Sequence, residues 1–240
     1  MSFLDKFRYK KTNFISGGLH IATLLERSET CNVKIPKRFV APKRIDSRDM
    51  CLSSNSQNSP YNCAGYSTAG YIEYYNWKTK HYPEQIDGNT IYKRAKEKFD
   101  YSNVDGTTLI ATSDAAIDLG LIDGIPKFLN YKGILEENGI PISAEISIKF
   151  GLHQYGVVMA GFFITNEWNY VNKETGIIKN LGEDAEFRSG HAVLLCGYDS
   201  NGVYIQNSWG ELWGHYGFAI LGWEQLKRQL MTAMIIDTKS

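Results

Sequence analysis

The 240-residue chain carries 26 basic and 26 acidic side chains, so its formal net charge is zero. This balance gives no electrostatic reason to expect nucleic acid or an anionic membrane surface as a partner. Four cysteines are too few for a disulfide framework, and no apolar run approaches the roughly 18 residues of a membrane-spanning helix. The length suits one large domain or two closely packed lobes with a substantial core.

Residues 1–44 are mixed in character. The stretch from Phe14 to Leu25 superficially resembles a signal peptide, but two glycines and a histidine interrupt it and no clean cleavage site follows. We therefore expect a cytoplasmic protein or one exported by a non-classical route. Residues 35–44 hold two prolines and four cations, which predicts an extended surface connection. The segment is interpreted as an N-terminal arm packed on the body or as a short pro-segment.

A polar, turn-prone loop that starts at Gln57 leads into a segment with helical character, residues 68–77. This pattern places Cys63 near a helix N-terminus. The unpaired N–H groups and the dipole of a helix start favour a thiolate over a thiol, which predicts a lowered pKa for Cys63. A loop cysteine taken alone is more often a packing residue. Cys63 is nevertheless the candidate nucleophile.

Two further helices are predicted in the middle of the chain. Apolar residues at helical spacing indicate the first over residues 91–99. A second is predicted over residues 111–120, with Ser113 or Asp114 as its cap and Gly120 at its end. After Pro141 the pattern turns to strand.

The expected strands fill the last hundred residues. Residues 156–165 predict a buried strand, and residues 168–179 alternate in part around a turn at 173–176. Two apolar runs, 192–196 and 203–205, flank a short polar break and predict a β-hairpin.

His191 precedes this hairpin and Asn207 follows it, with Ser208, Trp209 and a glycine-rich loop after the asparagine. Either polar residue alone is ordinary at the end of a strand. A hairpin with a purely structural role does not require this histidine, this asparagine and the Trp-Gly loop together. The whole string therefore indicates a functional site.

The stretch 191–217 closely resembles the histidine and asparagine segment of papain-like cysteine peptidases. That segment has a Gly-His-Ala-Val strand, then Asn-Ser-Trp-Gly and a Trp-Gly-x-x-Gly loop. Upstream, Gln57 lies six residues before Cys63, the spacing of the family's oxyanion glutamine, and residues 45–49 are similar to the start of a mature papain-like domain. The resemblance extends over about residues 45–225.

The resemblance implies an α+β fold with two lobes and a cleft between them. The catalytic domain would span residues 45–240. An α-rich lobe, about residues 51–138, would carry the cysteine nucleophile. An antiparallel, β-barrel-like lobe, about residues 139–240, would carry the histidine and the asparagine, and residues 1–44 would be the arm or short pro-segment.

The resemblance also assigns roles to individual residues. In a cysteine peptidase, a thiolate attacks the peptide carbonyl beside an imidazolium that an asparagine orients and a tryptophan shields, and a glutamine stabilises the oxyanion. The implied catalytic residues are Gln57, Cys63, His191 and Asn207, supported by Trp209. The implied substrate-binding residues are Gly106, Thr107 and Gly190. We expect no metal and no cofactor, a protein or peptide substrate, and a monomer.

Two residues depart from the papain pattern. Pro60 stands where papain has a cysteine, and Ala64 stands where a tryptophan usually follows the nucleophile. Since Cys196 lies in an apolar run and no pairing motif surrounds Cys31 or Cys51, we predict no structural disulfide.

Alternatives remain open at this point. The same cysteine and histidine suit acyl transfer or glutamine deamidation, and a catalytically silent binding module is a third class. Counting back across the hairpin puts Asn207 opposite residues 194–196, so its contact with His191 depends on the resemblance and not on the strand register.

Overall fold

The computed structural model describes residues 32–36, 38–52, 56–82, 84–100, 102–129, 136–137, 140–141, 143–180, 182 and 185–238. The signal-like stretch from Phe14 to Leu25, and Cys31, lie outside the described residues. Within the described part no helix is both long and apolar enough to cross a bilayer.

Three helices form one side of the molecule: α1 (Cys63–Lys80), α2 (Gly88–Lys98) and α3 (Leu109–Asp118). The helix predicted over residues 91–99 is confirmed, since Ile91 and Ala95 are buried. Helices α1 and α2 approach closely at Gly65, where a Cβ atom would lie 2.1 Å from the carbonyl oxygen of Gly88. This approach packs α2 against the first turns of α1, beside Cys63.

The predicted start of α3 was wrong. Thr108 is its N-cap, and the Thr108 hydroxyl accepts a hydrogen bond from the N–H of Ala111. Ser113 lies inside the helix and donates its hydroxyl proton to the carbonyl of Leu109. Gly120 follows the helix with φ of +70°, the left-handed conformation common just after a helix end.

A sheet of eight strands forms the other side. These are β1 (Asn32–Val33), β2 (Ile45–Asp46), β3 (Ile125–Leu129), β6 (Val158–Ile164), β7 (Ser189–Tyr198), β8 (Gly202–Gln206), β9 (Phe218–Gly222) and β10 (Leu230–Asp237). They run in the order β1-β3-β10-β6-β7-β8-β9, with β2 on β7, and all pairs except β1 with β3 are antiparallel. The expected combination of helices and antiparallel sheet is confirmed, although the sheet is not closed into a barrel.

Short elements join these layers. A ladder of β4 (Glu136–Glu137) and β5 (Ile140–Pro141) stands apart from the large sheet. Helix α4 (Ala144–Tyr155) was not predicted, since strand was expected after Pro141, and α5 (Trp223–Gln229) leads into β10.

The alternating stretch 168–179 is not a strand. The 3-10 helix Asn166–Asn169 opens it, and the Asn172 side chain then accepts hydrogen bonds from the N–H groups of Glu174 and Thr175. A single bridge between Ile177 and Ile220 attaches it to the sheet.

Helix α1 crosses the sheet at β7, where apolar side chains of both elements are buried together. The Ser67 hydroxyl donates a hydrogen bond of 2.8 Å to the carbonyl of Val193. Because Ser67 lies one helical turn after Cys63, this contact brings the start of α1 to the start of β7.

The described part of the N-terminal arm packs on the body. Strand β1 pairs with β3, the side chains of Val33 and Ile35 are buried, and the Tyr198 hydroxyl donates to the carbonyl of Pro42. Whether residues 1–44 serve as an arm or as a short pro-segment stays a prediction.

Candidate active site

Cys63 is the first residue of α1, so the expected position at a helix start is found. The cap residue Asn62 makes no side-chain cap hydrogen bond. The sulfur accepts a hydrogen bond of 3.4 Å from the backbone N–H of Ala192, the residue that follows His191 in β7. The thiol is fully buried. The helix start therefore presents its sulfur to the strand that carries the histidine.

His191 and Asn207 are in direct contact. Nε2 of His191 lies 2.8 Å from Oδ1 of Asn207, and the same oxygen accepts a hydrogen bond of 2.8 Å from the N–H of Ser208. The strand register pairs Leu194 with Gln206, as counting across the hairpin predicted. The side chains therefore meet although their backbones are offset along the strands.

Gln57 is tied to the loop that follows Asn207. Its N–H donates 2.7 Å to the carbonyl of Ser208, and its Oε1 accepts a hydrogen bond of 2.6 Å from the Ser208 hydroxyl. Its Nε2 donates 2.7 Å to the carbonyl of Ser59. One N–H of the Gln57 amide is used in this contact. Hydrogen bonds at both its oxygen and its nitrogen fix the orientation of the amide. Sequence reasoning missed Ser208, although it lies inside the Asn-Ser-Trp motif.

Trp209 packs on the imidazole, with 4.7 Å between the ring centroids and 33° between the ring planes. Trp168 also contacts His191, edge to face, at 6.2 Å and 87°. No sequence signal pointed to Trp168, because it lies in the stretch that was predicted to alternate as a strand. The imidazole is thus enclosed by indole rings from two segments and is 3% exposed.

Burial opposes charge on the Cys63 thiol and on the His191 imidazole. It raises the pKa of the Cys63 thiol to about 11, against the N–H groups of Ala192 and of the helix start, which lower it. It lowers the pKa of His191 to about 4, against the contact with Asn207, which raises it. The direction at Cys63 is opposite to the lowered pKa expected from the helix start alone, because loss of hydration outweighs the dipole in a fully buried position.

The candidate substrate-binding residues lie on both layers. Gly106 has φ of +85° and precedes α3, and Thr107 is fully buried. Burial raises the pKa of Tyr92, and the N–H of Gly106, which hydrogen-bonds the Tyr92 hydroxyl, opposes that rise. Gly190 is half-buried in β7, immediately before His191 and opposite Phe163. Their role toward a substrate stays a prediction.

Three cysteines fall in the described part of the chain, and all three are free thiols: Cys51, Cys63 and Cys196. Cys51 donates its thiol proton to the carbonyl of Ser47 at 3.4 Å, and Cys196 donates to that of Tyr204 at 3.6 Å. Over the described residues no group of three or more His, Cys, Asp or Glu side chains is placed to hold a metal ion.

The sequence is similar to a known protein family over part of its length. The sequence model of the papain family of cysteine proteases matches residues 127–235. A search among curated protein sequences finds no significant match.

Solved structures show the same fold at low sequence identity. Xylellain, a cysteine protease from Xylella fastidiosa, is 17% identical with a TM-score of 0.72, covering 97% of this chain and 100% of its own. Digestive procathepsin L 3 from Tenebrio molitor is 15% identical with a TM-score of 0.63, covering 88% and 75%. Procathepsin B S9 from Trypanosoma congolense is 14% identical with a TM-score of 0.62, covering 94% and 87%.

The structural likeness covers nearly the whole chain, and the family match covers the strands that carry His191 and Asn207. The chain thus has a papain-like fold, and its residues 127–235 are similar to the papain family of cysteine proteases.

Proposed function

We propose that the chain hydrolyses peptide bonds of a protein or peptide substrate with Cys63 as nucleophile and His191 as general acid and base. One observation carries the proposal: the sulfur of Cys63 touches the N–H next to His191, while the far nitrogen of that imidazole lies 2.8 Å from Asn207. A nucleophile, a base and a group that orients the base are thereby adjacent.

The attacking species in this chemistry is the thiolate. Burial alone favours a neutral thiol and a neutral imidazole. Transfer of the thiol proton to His191 creates opposite charges side by side, and each then stabilises the other. The thiolate and the imidazolium therefore form together, because each charge gives the other the stabilisation that water would give an exposed group. The Ala192 N–H supports the charge on sulfur.

The thiolate attacks the scissile carbonyl, and negative charge develops on the carbonyl oxygen. The N–H of Cys63, at the first position of α1, has no partner within its own helix. The second N–H of the Gln57 amide is the other donor, because the first is held by Ser59. Each such donor contributes roughly 3 to 4 kcal/mol to transition-state stability in related sites.

Collapse of this intermediate breaks the C–N bond, and His191 donates its proton to the leaving amine. The neutral imidazole then takes a proton from a water molecule that attacks the thioester. The acid is released, the proton returns to the Cys63–His191 pair, and both groups recover their starting state. Asn207 fixes Nε2 throughout, so the opposite nitrogen, Nδ1, performs the proton transfers.

The test is a cleavage assay with the purified chain and a library of fluorogenic peptides. We expect new amino termini in amounts equal to the peptide consumed, and covalent labelling of Cys63 by a peptide that carries a thiol-alkylating group. The Cys63→Ala variant should show neither. Release of ammonia without new amino termini would replace hydrolysis of peptides with deamidation, and an absence of labelling would favour a binding module.

A further inference from the structure

The imidazole of His191 belongs to a closed circuit of four aromatic rings, which we call the aromatic box. Its members are His191, Trp209, Trp213 and Trp168. Successive ring centroids around the circuit are 4.7, 5.8, 6.4 and 6.2 Å apart. Trp209 and Trp213 come from the loop after Asn207, whereas Trp168 comes from the 3-10 helix after β6 and is fully buried.

Trp168 is held by hydrogen bonds and by a ring contact. Its indole N–H donates a hydrogen bond of 2.7 Å to Oε1 of Gln229, and its carbonyl accepts 2.7 Å from the indole N–H of Trp213. Phe162, the cross-strand neighbour of His191, packs on its ring at 5.7 Å. Trp168 cannot turn without breaking the bond to Gln229 and leaving Phe162.

Gln229 serves as an acceptor for Trp168. It is fully buried at the end of α5, and its Nε2 has no hydrogen-bond partner among the described residues. The reversed amide would set an N–H donor against the indole donor, so Trp168 fixes the orientation of the amide. A buried amide that leaves one end unpaired costs stability, which the bond to Trp168 only partly offsets.

A hydrogen bond at Nε2 alone does not hold the plane of the imidazole. Nε2 lies close to the axis of the Cβ–Cγ bond, so the ring can turn about that bond while its contact with Asn207 persists. The tilted ring contact with Trp209 and the edge contact with Trp168 restrain this rotation from two directions. Proton transfer from Nδ1 depends on the plane that they set.

We propose that Trp168, anchored by Gln229, is a positioning residue that sets the plane of the His191 imidazole. This rests on the proposed function of His191 as general acid and base. Trp168 would act without touching the substrate, because its side chain is fully buried and contacts the imidazole.

The first test compares Trp168→Phe and Gln229→Met with Trp223→Phe as a matched control. Trp223 also donates an indole hydrogen bond, to the carbonyl of Asp199, but it packs on Tyr198. We expect kcat to fall about tenfold in the first two variants with KM within about twofold, because substrate contacts are unchanged. The control should keep both constants within about twofold.

A second test needs no turnover and therefore stands apart from the proposed function. In the Cys63→Ala background, the ring protons of His191 are followed by NMR across pH. With Cys63 replaced, the neighbours described above, Phe162, Trp168, Trp209 and Asn207, carry no charge. Adding Trp168→Phe or Gln229→Met should shift these signals and raise their titration midpoint by about 0.5 to 1 pH unit, since water reaches the ring. Adding Trp223→Phe should leave them in place.

A double-mutant cycle then tests whether Gln229 acts through Trp168. In the Trp168→Phe background, Gln229→Met should cost no further activity, because no indole N–H remains to be held. Full additivity of the two losses, or unchanged kcat and unchanged His191 signals in both single variants, would overturn the proposal. A lower melting temperature as the sole effect would also overturn it, since that is the result of a purely structural role.

Discussion

The strand-borne half of the site is held by a hydrogen bond and several rings, whereas the helix-borne half depends mainly on the start of α1. Asn207 and two indole rings contact His191. Cys63 accepts a hydrogen bond from the N–H of Ala192, which lies outside its helix. Orientation is thus built into the β side, and the sulfur is placed by the helix and by burial. This division suits a nucleophile that must form and break a bond while its proton carrier stays in place.

Replacing either reacting group should have the largest effect. Cys63→Ala and His191→Ala each remove one partner of the proton transfer, and we expect turnover to fall by more than about a thousandfold. Both changes remove little core volume, so circular dichroism and urea unfolding should still report a cooperative fold. Turnover of Cys63→Ala within tenfold of wild type would contradict the assignment of the nucleophile.

The orienting residues should matter less than the reacting ones. We expect about a hundredfold loss of kcat for Gln57→Ala, which removes an oxyanion donor, and about tenfold for Asn207→Ala. Ser208→Ala is the matched control for Gln57, since it frees Oε1 of the amide while keeping the donor. Its loss should be smaller than that of Gln57→Ala. Equal losses in all variants would remove the distinction between reacting and orienting groups.

The contrast between the two halves also explains what the sequence could predict. The hairpin could be predicted because strand, turn and polar residues follow one another within 191–217. Cys63 could be predicted because it lies where a loop leads into a helix. Trp168 lies in a separate segment, and its neighbour Gln229 lies 61 residues further on, so only the packing of α5 and β6 reveals the pair.

Local patterns misled the prediction at two helix starts. In α4, the apolar residues Ile146, Ile148 and Phe150 alternate as in a strand, yet the Ser143 hydroxyl caps a helix by accepting from the N–H of Ile146. At α3 the capping hydroxyl belongs to Thr108. In both cases the hydroxyl that marks the helix start belongs to a residue just before the segment.

The dependence of stability on acid pH reports the burial of His191. His191 has its pKa lowered to about 4 by burial, so the unfolded chain binds a proton that the folded chain does not between about pH 6.5 and 4. Stability should therefore be complete above this window and fall by about 3 kcal/mol as pH drops through it. Urea unfolding at a series of pH values would measure this slope. In His191→Gln the contribution should vanish.

A resting thiolate–imidazolium pair holds the same number of protons as a neutral thiol beside a neutral imidazole, so it gives the same acid slope. The slope therefore reports the burial of the Cys63–His191 pair and not the position of the proton within it.

The smallest effect is expected on the fold when the chain is reduced. The three described cysteines are free thiols, so a mild reductant should leave the melting temperature unchanged. Loss of a native disulfide would instead cost about 2 to 5 kcal/mol. The same reductant should raise activity, because it keeps the thiol of Cys63 from oxidation to the sulfenic and higher acids. Peroxide should inactivate the wild type, and reductant should restore activity by converting the sulfenic acid back to the thiol. A large fall in melting temperature on reduction would point to a pairing that involves Cys31, and full activity after peroxide would argue against a reactive thiolate at Cys63.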